Sequence, residues 1–383
     1  MNRLSIVIAG MVAAQPGQGG AAWAVLQYVL GLAALGHEVT LVDPATVPPA
    51  ENDAAFTASA AAAYFRRLAA DFGLDGCASL LRAGTRATVG LPYESLVDRV
   101  QRADLLLNIS AMLRDPALIE PIPRRAFLDL DPAFNQMWHA QGIDMGFDRH
   151  THFVTIGWNI GRPDCPVPTC GRDWITTPQP IVLDRWPVAN TIVHDGLTTV
   201  ANWRSYGSVT HEGVFHGQKV HAWRELFDLP RRTTMPCLPA LAIHPDETSD
   251  LVALRDHGWQ LLDPAVVCAT PADYQRFAQG SRAELAIAKS GYVLSRCGWF
   301  SDRSVCYLAS GRPVIAHDTG FRSRLPVDAG LFAFSTVDDA AAAIEAVARN
   351  YERHCRAARE LAAATFDSRL VLPALLGAVM ERN

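Results

Sequence analysis

The chain has 383 residues, 49% apolar and 19% charged, with a formal net charge of −5. That is enough material for two hydrophobic cores, and the charge carries no footprint of nucleic acid or of an anionic membrane surface. The apolar N-terminus, Leu4 to Ala14, is broken by Pro16, Gly17, Gly19 and Gly20. It therefore reads as neither a signal peptide nor a spanning helix, and the chain is expected to be cytoplasmic.

Leu4 to Ala9 is an apolar, β-branched stretch typical of a central strand. The glycine-bearing loop Gly10–Gly20, a helix from Ala21 to Leu35 stopped by Gly36, and a second strand Glu38 to Asp43 follow. This is a Rossmann-type βαβ unit. The unit reads either as a dinucleotide site, with Asp43 placed to hold a ribose, or as a flexible glycine-rich loop over a substrate cleft. An Ala-rich helix is predicted over Ala54–Phe72, a helix near Tyr93–Gln101, and a strand over Leu105–Ser110.

Arg125 to Pro132 reads as a strand with Asp129 and Asp131 on one face, Asp131 at its carboxyl end. His150–Ile156 is a further strand. Gly161 to Pro187 is rich in proline and reads as a stiff crossing between halves. Of eight cysteines, only Cys165 and Cys170 are close together, so reduced thiols and no metal site are expected.

In the second half, Thr198–Trp203, Leu238–Ile243 and Trp259–Pro264 read as strands, with helices between them through Trp223 and His257. Lys219, ahead of the first of these helices, is a candidate phosphate contact. Ser281–Lys289 reads as a short amphipathic piece and Tyr292–Leu294 as a buried strand. A turn at Gly298–Phe300 then leads to a helix capped by Ser301 or Asp302 and stopped at Gly311, with Pro313 beyond. Val314–Ala316 is a strand ending in Asp318-Thr319-Gly320. Arg303 has the wrong charge for a first helical turn, which predicts an anionic partner there. Leu331–Phe334 is a strand, and helices fill Val337–Asn350, Glu352–Thr365 and Phe366–Met380.

The stretch Gly298-Trp299-Phe300-Ser301-Asp302-Arg303-Ser304, with Leu308-Ala309-Ser310-Gly311-Arg312-Pro313-Val314 and Asp318-Thr319-Gly320, resembles the donor loop of GT-B glycosyltransferases. The resemblance implies an α/β fold of two Rossmann-like domains facing across a cleft, at 1–185 and 190–365, with a tail at 366–383 crossing back. By it, Trp203, Lys219, Lys289, Ser301, Asp302, Arg303 and Ser304 surround a nucleotide-sugar diphosphate, and Asp318, Thr319 and Gly320 the sugar or phosphate. Gly19 and Gly20 belong to the acceptor-side loop.

Where retaining members carry two glutamates seven apart, this chain has Asp302 and Ala309, so the stereochemistry stays open. The implied activity is metal-independent hexosyl transfer from a nucleoside-diphosphate sugar to a small-molecule acceptor, with no cofactor, no nucleic-acid partner and no membrane span. Asp131 is the expected catalytic base, with His139 second. The alternatives are a sugar-nucleotide epimerase or hydrolase of the same build, a nicotinamide oxidoreductase using Asp43, and a non-catalytic sugar-nucleotide-binding protein.

Overall fold

A computed structural model describes residues 3–45 and 52–382. The first two residues of the expected first domain and the last of the tail thus lie outside the described residues.

The first sheet has eight strands: β1 (Ser5–Ala9), β2 (Glu38–Ala45), β3 (Ala78–Arg82), β4 (Thr88–Gly90), β5 (Leu105–Ile109), β6 (Arg124–Asp129), β7 (His152–Thr155) and β8 (Trp174–Thr176). Their order is β4-β3-β2-β1-β5-β6-β7-β8, parallel except for β4. Along β1, Ile6 and Ile8 enter one apolar cluster while Val7 and Ala9 enter another. A strand buried on both faces needs the continuous apolar run that this stretch has. The proline-rich stretch is more than a crossing, because it contributes β8 to the sheet edge.

β9 (His194–Asn202) opens the second half. A two-stranded hairpin, β10 (Val209–His211) with β11 (Val214–His216), comes before β12 (Cys237–Ala242), β13 (Ser281–Ala286), β14 (Val314–His317) and β15 (Leu331–Phe334). The five-stranded sheet runs β12-β9-β13-β14-β15, all parallel. In both sheets the order reverses beside the first strand, at β1/β5 and at β9/β13. Ligands sit outside the carboxyl ends of strands at such switch points.

Several local expectations shift. Ser281–Ala286 is the central strand, and the Tyr292–Leu294 stretch lies in a short helix, Ser290–Ser295. Both runs are brief, so periodicity could not separate them. The Ala-rich helix is two helices, Asp53–Thr57 and Ala60–Phe72, because the Ser59 side chain caps a new start by accepting from Ala62 N–H. Trp259–Pro264 forms no strand and keeps one bridge, Ala240 to Leu262. β6 ends at Asp129, so Asp131 sits in the following turn.

The Ser368–Met380 helix packs on the Gly19–Ala34 helix, where a β-carbon on Gly31 would lie 2.5 Å from Leu372 Cδ1. The chain reaches it through Ile181, whose N–H donates to the Phe366 carbonyl at 2.7 Å. Among the described residues no helix is long and apolar enough to cross a membrane.

Candidate active site

Asp43 does not reach a ribose. Its Oδ2 accepts the N–H groups of Val12, Ala13 and Ala14 at 3.1, 2.6 and 3.1 Å, which fixes the start of the glycine loop. Burial pushes this carboxyl up to about 7, against the pull of those three donors. From there the loop passes Gly17, at φ +87, and turns into the Gly19–Ala34 helix against the second half. The Gly19 N–H donates to the Cys268 carbonyl at 3.1 Å. A β-carbon at Gly19 would stand 2.1 Å from the Thr270 carbonyl oxygen, and one at Gly20 2.7 Å from the Tyr274 ring. The glycines therefore permit backbone-to-backbone approach of the two halves. Trp23 Nε1 donating to the Pro271 carbonyl at 2.8 Å and Tyr64 hydroxyl to Ala269 at 3.1 Å hold the same seam.

Beside this seam lies a cavity of about 460 Å³. Its walls are the Pro16–Ala21 turn, the end of β9 at Val200–Asn202, Ala242 at the end of β12, and Pro264, Ala265 and Cys268. Lys219, Asp302 and Arg303 supply its charge. Lys219 makes no ion pair among the described residues. Burial and the neighbouring Arg303 push its amine down to about 7.

Arg303 does have the anionic partner its position demands, but that partner is Glu284 of β13, fully buried beneath the helix. A second Arg303 nitrogen donates to the Val200 carbonyl at 2.9 Å. Asp302 sits at the start of its helix, where burial pushes its carboxyl up, partly offset by Arg303, the helix's own first N–H groups and Lys219. The anion position at this helix start is thus already filled by a side chain.

The other expected site residues lie apart from this cavity. Trp203 is a core residue whose Nε1 donates to Asp250 at 3.0 Å. Ser301 and Ser304 are buried, and Ser304 Oγ has no partner among the described residues. The Thr319 hydroxyl donates to the Trp299 carbonyl, while Asp318 and Gly320 line a different cavity. His139 packs its ring on Phe147 at 4.2 Å.

Asp131 and Lys289 meet across the halves at 3.0 Å. Asp131 Oδ1 also accepts from the Tyr206 and Tyr292 hydroxyls. The Lys289 ammonium lies 3.6 Å from the Tyr206 ring centre and 5.1 Å from those of Phe134 and Tyr292. Burial pushes this amine down, partly offset by Asp131. Asp129, beneath, is fully buried among Asn135, Gln136 and Thr155, and burial pushes it up to about 6. Three donors converge on Asp131 Oδ1, and Oδ2 is the atom without a partner among the described residues.

Sequence reasoning missed both tyrosines. Tyr292 was assigned to a strand, and Tyr206 lies in an irregular turn before the hairpin. It also missed the Thr270–Asp273 capping box that aims the Cys268 and Thr270 carbonyls at Gly19, although Thr-Pro-Ala-Asp is a readable helix start.

No family model and no curated protein sequence matches the chain. Solved structures do. An alpha-glucosyltransferase in complex with UDP-glucose and DNA containing an abasic site aligns with TM-score 0.61 and 13% identity, over 99% of this chain and 100% of that one. Anabaena HepE in complex with UDP-glucose aligns with TM-score 0.62 and 10% identity, over 99% and 100%. Sucrose-phosphate synthase from Thermosynechococcus elongatus aligns with TM-score 0.56 and 10% identity, over 99% of each chain.

The chain has the GT-B fold, two Rossmann-like halves across a cleft. The expectation that a nucleic-acid partner is excluded does not stand, since a protein of this fold carries DNA in its complex. A net charge summed over a whole chain does not report the potential over one face of it.

Proposed function

We propose that the protein is a glycosyltransferase that moves a sugar from a nucleoside-diphosphate donor to an acceptor hydroxyl. The observation that carries this reading is the cavity itself. It lies at the carboxyl ends of β9 and β12, against the Gly17–Gly20 turn, and holds a half-buried lysine that has no acidic partner of its own. A lysine kept short of its full charge by burial is a waiting counter-ion for phosphate. The matched structures holding UDP or UDP-glucose support the same reading.

In this proposal the diphosphate lies between Lys219 and the start of the Gly19–Ala34 helix, whose first turn offers N–H groups and the positive end of its dipole. Arg303, tied to Glu284, and Asp302 shape the wall and set the field around Lys219. Ser301, Ser304 and Trp203 act by holding that wall rather than by touching the donor. The acceptor oxygen bonds to the anomeric carbon as the bond from that carbon to the diphosphate breaks, and the nucleoside diphosphate leaves with the electron pair. Lys219 and the helix start meet the growing charge without a metal ion. Asp131, through Oδ2, takes or orients the acceptor proton from the first half. A hexose, as in the UDP-glucose complexes, is the first sugar to test.

The test is calorimetric titration of UDP and UDP-glucose, followed by detection of UDP released with and without added acceptors. Saturable binding of both, lost on substitution of Lys219, is the expected result. Absence of binding by any nucleoside diphosphate would overturn the reading.

A further inference from the structure

A second cavity, of about 360 Å³, lies between the halves and shares no lining residue with the donor cavity. Arg296 lines the one and Asp302 the other. Three arginines meet in it: Arg162 from the loop after β7, and Arg296 and Arg322 from the second half. The carboxylates present are Asp164, 3.4 Å from Arg162, and Asp318, 3.8 Å from Arg322. Asp318 is partly spent already, since one of its oxygens accepts the Gly320 N–H at 2.8 Å. The Arg296 guanidinium has no ion pair and no hydrogen bond among the described residues. The cavity therefore carries one cation more than it has acids to match.

The floor is built, not incidental. Asn159 Nδ2 donates to the Arg296 carbonyl at 2.8 Å and the Gly320 carbonyl at 3.2 Å, and its Oδ1 accepts from Ser323 at 3.2 Å. Gly320, at φ +94, has no room for a β-carbon, which would lie 2.7 Å from Asn159 Nδ2. Arg296 itself holds a left-handed backbone, φ 46 and ψ 34, closing the Ser290–Ser295 helix. A long non-glycine side chain in that region costs about 1 kcal/mol or more, and such strain gathers at ligand sites. Glycine would close this helix without strain, so an arginine there calls for a role of its own.

We infer that this cavity is an oxyanion subsite, taking a phosphate, sulfate or carboxylate group through Arg296 with Arg162 and Arg322. Guanidinium forks match the planar edge of such groups, and two halves supplying them would bind the anion only when closed. The anion is assigned to the second substrate of the transfer, a step that rests on the reading proposed above; the binding itself does not.

The experiment is a calorimetric titration of inorganic phosphate into the full chain saturated with UDP, so that the donor cavity is occupied. The wild-type protein should give a saturable isotherm. Arg296→Asn removes the guanidinium yet leaves a residue that tolerates the left-handed backbone, and should weaken phosphate at least about tenfold. Arg296→Lys should restore part of the loss.

Arg162→Gln, on an exposed loop, should weaken phosphate in the same direction and carries the test alone if Arg296→Asn does not fold. Lys219→Met, assayed in parallel, should lose UDP affinity and keep phosphate binding, which separates failure here from failure of the donor assignment. No saturable phosphate binding in the wild type, or equal isotherms in wild type, Arg296→Asn and Arg162→Gln, would overturn the inference.

Discussion

Lys219→Met should move stability and ligand affinity in opposite directions. In the empty cleft, burial and Arg303 hold the amine down to about 7, so below neutral pH the folded state carries a poorly solvated charge. Methionine fills a similar volume without it, and the variant should unfold at a higher temperature than wild type at acidic pH. The gain should be full below about 7 and shrink steadily above it, vanishing only near the ordinary lysine value of 10.5, because in between the unfolded amine must still give up its proton to fold.

Binding should go the other way. A charge-assisted contact to phosphate is worth about 1.5–3 kcal/mol, so the variant should bind UDP-glucose about 10- to 150-fold more weakly. A bound diphosphate raises the amine's pKa above its value in the empty cleft. Wild-type affinity is therefore flat below about 7 and falls above it, by at most about tenfold per pH unit for one proton. The sugar diphosphate does not itself titrate near neutrality, so the slope reports the protein. Calorimetry in buffers of different ionisation heat measures the proton taken up on binding above neutral pH. Equal affinity in wild type and Lys219→Met, or a pH-independent wild type, would refute the reasoning.

Glu284→Gln leaves Arg303 buried without its counter-charge, and denaturant unfolding should show a loss of about 3–5 kcal/mol. Gly19→Ala puts a methyl against the Thr270 carbonyl. Small-angle scattering should find the halves further apart, and transfer should fall more than thermal stability does. Asp131→Asn strands the buried Lys289 ammonium, so the variant should melt well below wild type. Combining it with Lys289→Met should recover the melting temperature but not turnover, if Asp131 also serves the acceptor; recovery of both would reduce the pair to a latch between the halves.

The fold was largely legible because its signals are local. The apolar runs of β1, β5, β12 and β14 and the stops at Gly36 and Gly311 need only a few neighbouring residues to be read. The lining of the cavity beside the seam draws on residues that the sequence singled out for different roles, Gly19 and Gly20 for the acceptor side and the others for the donor. Gly19, Gly20, Lys219, Asp302 and Arg303 line it as a group, yet the sequence could not show that Arg303 is tied to Glu284, nineteen residues earlier in another strand. Nor could it show that Asp43 turns inward to hold Val12–Ala14 rather than outward to a ribose.

Partners chosen across a sheet leave no trace in spacing. Thus Asp318 and Gly320, adjacent in sequence to a familiar motif, fall into the cavity that Asn159 closes, while Asp131 finds Tyr206 and Tyr292 from the opposite half. Ser281–Ala286 was not read as a strand, and Tyr292–Leu294 was, because the two elements there are each only six residues long, too short for either period to declare itself.

The central claim, that the cavity between Lys219 and the Gly17–Gly20 turn receives a nucleoside-diphosphate sugar, is tested most directly by photolabelling. A 5-azido-uridine diphosphate glucose would be cross-linked to the full chain, and the modified peptides mapped by mass spectrometry. The account predicts label on peptides carrying Val200–Asn202, Ala242 or Pro264–Cys268, displaced by excess UDP and diminished in Lys219→Met. Displaceable label confined to other peptides, or none at all, would contradict it.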